Sequence, residues 1–346
     1  MLDNPIAPEA HPCARLGALL EPVAAPDLSG EPRPVAVDPA VLAVAGRYHL
    51  VPALASALAR RGVRPDEPEL AAYLDAMHAL NARRNARLMA EAGDIAAALV
   101  AAGVRPLFLK GTALLLLGLH ADPASRFLGD IDILVPPDQI EAAAGAIAAL
   151  GFACVSSAPA HVHDRVKLAH PDRPAAVELH HPAVPGHLAG PLGADAMRAA
   201  ARPVAALPGA SVPSATDLVL HNVLHGMLHD WNFAMAELPL RDALDLALVG
   251  RAGGVDWNAV AARIERAPQG AAALAFALAA TREALPWCDL PELPVSGASA
   301  RALRAWRDRR GAPTGRVRRR LANVAEHSGR AWRGLNRALH GAGVLA

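Results

Sequence analysis

The sequence predicts an α+β chain, with a small mixed sheet over residues 104–182, helices before it and an all-helical region after it. Three observations carry this reading. Residues 68–102 keep a helical period, with Leu70, Tyr73, Leu74, Met77, Leu80, Leu88, Ile95 and Leu99 along one stripe. From Pro106 to His180 the pattern changes to short apolar runs bounded by Gly, Pro and Asp, the punctuation of strands. From Ser214 the helical period returns and continues into the C-terminal region.

Residues 1–37 are rich in Pro and Gly and read as irregular, apart from a short helix near 14–20. Asp38-Pro39 offers a capping carboxylate and a first-turn proline for a helical segment over 39–60, with a break expected near Pro52. Gly103 closes the long 68–102 helix. Leu107, Phe108 and Leu109 form a short buried strand, and Lys110-Gly111-Thr112 turns the chain into an apolar helix that Asp122-Pro123 ends. A second strand runs from Asp130 to Val135. Pro136-Pro137-Asp138 opens a helix that Gly151 stops, and strands follow at 152–155, 162–169 and 176–180. The domain reading is an irregular segment 1–37, a helical segment 38–103, a core 104–182, a linker 183–213, and a helical region 214–346 with a basic tail. Helices are expected at 215–230, 240–250, 256–267, 270–285, 298–309 and 315–338.

The 346 residues suffice for two or three domains. Apolar residues make up 53%, but aromatics only 3%, so Ala supplies much of the count and favours helix. The formal net charge of +1 gives the whole molecule no bias toward nucleic acid or membrane. Cys13, Cys154 and Cys288 are far apart and form no C-x-x-C, which excludes a disulfide framework and a thiolate zinc site. No charged-then-apolar leader is present, and the apolar runs 113–119 and 271–280 are too short to span a bilayer. A reducing cytoplasm is the expected location.

The chemistry concentrates in residues 106–135. A strand alternates faces with period two, so Asp130 and Asp132 share one face while Ile131 and Ile133 enter the core. Adjacent carboxylates raise each other's pKa unless a cation lies between them. Hard divalent cations take oxygen ligands, and Mg²⁺ uses one or two carboxylates together with substrate phosphates. Lys110-Gly111-Thr112 at a helix start offers backbone N–H groups and an ammonium suited to phosphate. Thr112 also reads as a helix cap, and Arg126 as either a phosphate contact or the partner of an aspartate. In Ala176–His180, Glu178 and His180 face away from Val177 and Leu179. Together these residues make a phosphoryl-transfer layout.

Lys110-Gly111, Arg126 and Asp130-Ile131-Asp132 resemble the signature of the polymerase-beta-like nucleotidyltransferase superfamily. That signature is a strand ending in Gly-Gly or Gly-Ser, a helix, and a strand bearing Asp-x-Asp. The chain looks most like the bacterial branch grouped as nucleotidyltransferase family proteins. The resemblance covers about 104–182 and extends more weakly over 214–250. It departs from the commonest form in carrying Lys110 before the Gly and a longer spacer before the Asp pair. The resemblance implies a polymerase-beta-like core and a metal-dependent enzyme that moves a nucleoside monophosphate, AMP from ATP, to a hydroxyl of a small molecule, peptide or protein. It further implies Asp130, Asp132 and Glu178 as catalytic metal ligands for Mg²⁺ or Mn²⁺. Glu178 would also help deprotonate the attacking hydroxyl. Lys110, Gly111, Thr112 and Arg126 would contact the nucleotide. Two other classes share the fold: an antitoxin-like or regulatory protein acting on a partner protein, and a non-catalytic binding fold. The presence of all three carboxylates weighs against the last.

His221, His225 and His229, at i, i+4 and i+8, share one helix face and read as core packing, cleft lining or zinc ligands. His225 to His229 lacks the Glu of H-E-x-x-H, so metalloprotease chemistry has no support. Arg241, Asp242 and Asp245 open the next helix as caps, ion pairs or acceptor contacts. Residues 301–337 carry twelve Arg against Asp308 and Glu326, the pattern of a solvated helix face. With only Trp306 and Trp332 available for stacking, nucleic acid is not an expected partner.

Overall fold

A proline stands in the first turn of each of the four N-terminal helices. The computed structural model describes residues 11–21, 33–158 and 163–309. Helix α1 (Pro12–Leu19) begins where His11 accepts from the Cys13 N–H, and strand β1 (Arg33–Val35) follows. Asp38 caps α2 (Pro39–Arg47) by accepting from the Ala40 N–H. The break before α3 (Val51–Arg60) falls at His49, whose φ of 57° is left-handed, and not at Pro52. Pro52 lies in the first turn of α3, where its missing N–H costs nothing. Strand β2 (Val63–Pro65) pairs parallel with β1.

Helix α4 (Pro68–Ala101) is the long helix that the period predicts. Leu74, Leu88, Ala92, Ile95 and Leu99 are buried, whereas Tyr73 and Leu80, on the predicted stripe, are exposed. Asn81 and Asn85 take the inward positions instead. They donate to the carbonyls of Ala124, Pro123 and Arg126 and so fasten the loop before the Asp pair to the helix.

The sheet starts with β3 (Leu107–Phe108), which leads into α5 (Lys110–Leu116) and then β4 (Asp130–Leu134). Helix α6 (Ile140–Ala148) precedes β5 (Ala153–Ser157), β6 (Asp164–Ala169) and β7 (Ala176–His180). Residues 183–213 add α7 (Ala194–Ala199), β8 (Arg202–Pro203) and β9 (Ser211–Val212). The spatial order is β5-β6-β7-β4-β3-β9-β8, so the stretch expected as a linker supplies one end of the sheet. The pairing is mixed: β4 runs parallel to β7 and antiparallel to β3, while β3 runs parallel to β9. Leu107, Phe108, Ile131, Ile133, Val177 and Leu179 are buried and form the centre of the core.

Beyond the sheet, Ser214 caps α8 (Ala215–Asn222) by accepting from the Asp217 N–H. The expected straight helix 215–230 then widens into a π-helix, Val223–His229. Asn232 Nδ2 donates to the Gly226 carbonyl at 2.7 Å and Phe233 N to the Met227 carbonyl at 2.9 Å, which take up carbonyls at the end of that segment. Helices α9 (Leu240–Ala252), α10 (Trp257–Ile264), α11 (Gly270–Ala284) and α12 (Gly297–Arg309) follow. Met1–Trp306 forms one compact unit. The basic helix expected at 315–338 lies outside the described residues. Among the described residues no helix is long and apolar enough to cross a membrane.

Candidate active site

Strand alternation and parallel register together build the site. Ile131, Ile133, Val177 and Leu179 fill the core side of β4 and β7, which turns Asp132 and Glu178 to the other face. The parallel pairing sets Asp132 directly opposite Glu178 and Asp130 opposite Ala176. Asp132 is only 2% exposed. Its Oδ1 lies 2.7 Å from Lys110 Nζ and 2.8 Å from His180 Nε2. Glu178 Oε1 accepts from Lys167 Nζ at 2.6 Å, and Glu178 Oε2 lies 3.8 Å from His180 Nε2. Asp132, Glu178 and His180 each offer a ligand atom within 4.8 Å of the others.

The two aspartates of β4 are not electrostatic equals. Burial and the neighbouring Asp132 charge push Asp130 up to about 6, as the like-charge argument predicts. Asp132 goes the other way and is held well below the usual carboxylate range. Burial alone would raise it, but the Lys110 ammonium and the His180 hydrogen bond outweigh that. Lys110 is shifted up in turn, because Asp132 overcomes the effect of its burial. The expectation that each carboxylate raises the other therefore fails at Asp132, where a cation is already in contact.

The turn that delivers Lys110 is tight. Lys110 has a φ of 48°, a left-handed conformation that costs a residue with a Cβ of order 1 kcal/mol or more. At Gly111 a Cβ would come within 2.4 Å of Leu128 Cδ2, so the turn packs closely on the loop before β4 and a side chain there would push Leu128 aside. Leu109 occupies the cap position of α5 and makes no side-chain cap bond, so Thr112 is not the cap. Thr112 is buried one turn further in, and its Oγ1 has no hydrogen-bond partner among the described residues.

A family model described as uncharacterised nucleotidyltransferase matches residues 37–285, well over half of the chain. The chain belongs to this family. Its members are transferases of phosphorus-containing groups. No curated protein and no solved structure matches the chain.

In this nucleotidyltransferase a cleft of about 300 Å³ opens beside Asp130, and neither Asp132 nor Glu178 is among its lining residues. Lys110, Gly111, Arg126 and Asp130 line one side, and His221, Asn222, His225, Arg241 and Asp242 line the other. Arg126 is buried and bound to Asp245, with Nη2 2.7 Å from Oδ2 and Nε 2.9 Å from Oδ1. His120 Nε2 lies 3.2 Å from the same Oδ1. Burial would raise the Asp245 carboxyl, but the charges of Arg126 and His120 hold it down at about 2. Of the two alternatives for Arg126, the structure realises the aspartate partner, while leaving the residue on the cleft wall.

The histidine face of the nucleotidyltransferase is continuous, with ring contacts from His221 to His225 and from His225 to His229. His221 is buried and its Nε2 has no hydrogen-bond partner among the described residues; burial, His225 and Lys110 push its pKa down. His225 keeps a ring contact with His221, at 5.8 Å between centroids, and with His229 it also meets His163, just before β6. Sequence reasoning missed Lys167, His120 and His163. Lys167 has a signal in hindsight, since antiparallel pairing of β6 with β7 sets it opposite Glu178. His120 and His163 have no local signal, because each meets its partners across the tertiary fold.

Proposed function

We propose that this chain transfers a nucleoside monophosphate, with ATP as donor and AMP as the transferred group, to a hydroxyl of a small molecule, peptide or protein. The observation that supports this reading most directly is the parallel register of β4 and β7, which aligns Asp132 with Glu178, two residues along β4 from Asp130 on the cleft wall. A polymerase-beta-like core of bacterial type fits the order of Lys110-Gly111, Asp130-Ile131-Asp132 and Glu178 along the chain.

The donor set fits a hard divalent cation. Carboxylate oxygens dominate it, and a cation there would take the place of the Lys110 and Lys167 ammonium groups that now contact Asp132 and Glu178. The Asp130 carboxyl is raised first by burial and then by the Asp132 charge, and a bound cation would favour its ionised form. Asp130, Asp132 and Glu178 would hold Mg²⁺ or Mn²⁺, which supplies charge neutralisation at the reacting phosphate and lowers the pKa of the acceptor hydroxyl.

The protein's own groups position and neutralise. Lys110 keeps Asp132 ionised at neutral pH and presents an ammonium at the cleft, where triphosphate oxygens would compete with Asp132 for it. His180 holds Asp132 in place, and Glu178 helps deprotonate the acceptor. Arg126, tied to Asp245, presents a fixed positive wall to the nucleotide. Catalysis here is positioning and electrostatic stabilisation, as in phosphoryl transfer generally.

The test is transfer of label from α-labelled nucleoside triphosphates to candidate hydroxyl acceptors, with Mg²⁺ or Mn²⁺. Covalent transfer of the α-phosphate together with pyrophosphate release is expected. Absence of both transfer and triphosphate binding across the four nucleotides and both metals would overturn the reading.

A further inference from the structure

We propose that His163, His225 and His229 form a second metal site, for a zinc-class divalent cation. The three imidazoles each offer a nitrogen, and these nitrogens all lie within 4.8 Å of one another. Ring centroids are 4.8 Å apart for His163 and His229, 5.1 Å for His225 and His229, and 6.3 Å for His163 and His225. Zinc–nitrogen bonds of about 2.0–2.1 Å in a tetrahedral site put ligand nitrogens roughly 3.3–3.4 Å apart. The rings must therefore draw together by up to about 1.5 Å when the ion binds.

The ligands come from two separately anchored pieces of chain. His163 lies just before β6, and its carbonyl accepts from the His181 N–H at 2.9 Å, which ties it to the end of β7. His225 and His229 lie on the π-helix Val223–His229, and π-helical turns are frequent at functional sites. A carboxylate attends the cluster: Asp230 Oδ2 lies 3.4 Å from His225 Nδ1. A carboxylate at one imidazole nitrogen orients a ring whose other nitrogen binds metal. Three neutral nitrogen donors with no oxygen or thiolate among them select zinc and its late-transition neighbours over Mg²⁺. The set therefore differs in chemistry from the carboxylate centre, although His163 and His180 lie only 5.9 Å apart between ring centroids. A cation here clamps the start of β6 to the helical wall of the cleft.

The inference does not depend on nucleotide transfer, and its test reads metal directly. Full-length protein stripped with a chelator is titrated with Co²⁺, then with Zn²⁺. A visible Co²⁺ band of a nitrogen-bound tetrahedral ion is expected, displaced by one equivalent of Zn²⁺ with a rise in melting temperature. His225→Gln and His229→Gln, both at partly exposed positions, should each weaken Zn²⁺ binding by at least about tenfold while circular dichroism shows a folded chain. Asp230→Asn should weaken it by about 10- to 100-fold, the scale of losing a ligand-orienting carboxylate. Glu178→Gln should retain it, which separates this site from the carboxylate centre. Absence of the Co²⁺ band and of a Zn²⁺ melting shift in the parent would overturn the site and leave three packed imidazoles. Loss of binding in Glu178→Gln with none in His225→Gln or His229→Gln would overturn it too.

Discussion

Arg126 and Asp245 stand 119 residues apart in the chain and form a buried ion pair in which Arg126 Nη2 lies 2.7 Å from Asp245 Oδ2. His120 approaches the same carboxylate from a third element. The pair joins the loop before β4 to α9, and so fixes the two walls of the cleft against each other. Removing either partner leaves the other buried and uncompensated, which costs far more than an exposed pair would.

Asp245→Asn should therefore destabilise the chain by roughly 3–5 kcal/mol at neutral pH. The carboxyl is lowered from 3.8 to about 2 in the folded state, so the folded chain binds fewer protons there than the unfolded one. The stabilisation is fully present above the unfolded value and is lost as pH falls toward the folded value. Urea unfolding across a pH series should show the gap between parent and variant narrowing below about pH 4. A gap that stays constant down to acid pH would contradict the ion-pair account.

Lys110 and Asp132 should behave as one energetic unit. Relief of carboxylate repulsion would by itself stabilise Asp132→Asn, but the loss of the Lys110 partner outweighs it, so the metal-free melting temperature should fall. Lys110→Ala should fall as well, and the double variant should recover part of the loss, with an interaction energy of order 0.5–3 kcal/mol. Mg²⁺ should raise the melting temperature of Lys110→Ala more than that of the parent, because a cation then meets no competing ammonium at Asp132. Strict additivity in the cycle would sink the pairing.

Glu178→Gln separates catalysis from folding. Its partner Lys167 is about half exposed, so this pair contributes little stability and the melting temperature should hold. Nucleotide transfer should drop by at least about a hundredfold, the scale of losing one electrostatic catalytic group. Transfer at the parent rate would remove Glu178 from the metal centre.

Two glycines should respond differently to a methyl group. A Cβ at Gly17 would lie 1.7 Å from the Ala284 carbonyl oxygen, so α1 must move off α11. At Gly111 the obstacle is the Leu128 Cδ2, the end of a flexible side chain. Gly17→Ala should cost at least about 3 kcal/mol and Gly111→Ala less, within the range for overpacking. Chemical denaturation of the two variants would reveal a reversed order if the backbone contact were not the harder one.

The sequence by itself determined the local terms. Apolar alternation drew β4 and β7 and put Asp130 and Asp132, and likewise Glu178 and His180, on common faces, because side-chain direction along a strand follows from backbone geometry within a few residues. Helical period, the Asp38 cap, the return of helix from Ser214 and the Lys110-Gly111 turn were legible for the same reason. The two-residue strands β8 and β9 were not, since so short a run has no period to read. Only the tertiary structure decided which groups meet. It set Asp132 opposite Glu178 by parallel pairing, gave Lys110 to Asp132 and Arg126 to Asp245, and brought His163 to His225 and His229. These are contacts between distant segments, and their strength depends on burial that no local pattern encodes. Burial drives Asp130 up, while the Lys110 charge and the His180 hydrogen bond hold Asp132 down, two residues apart on one strand.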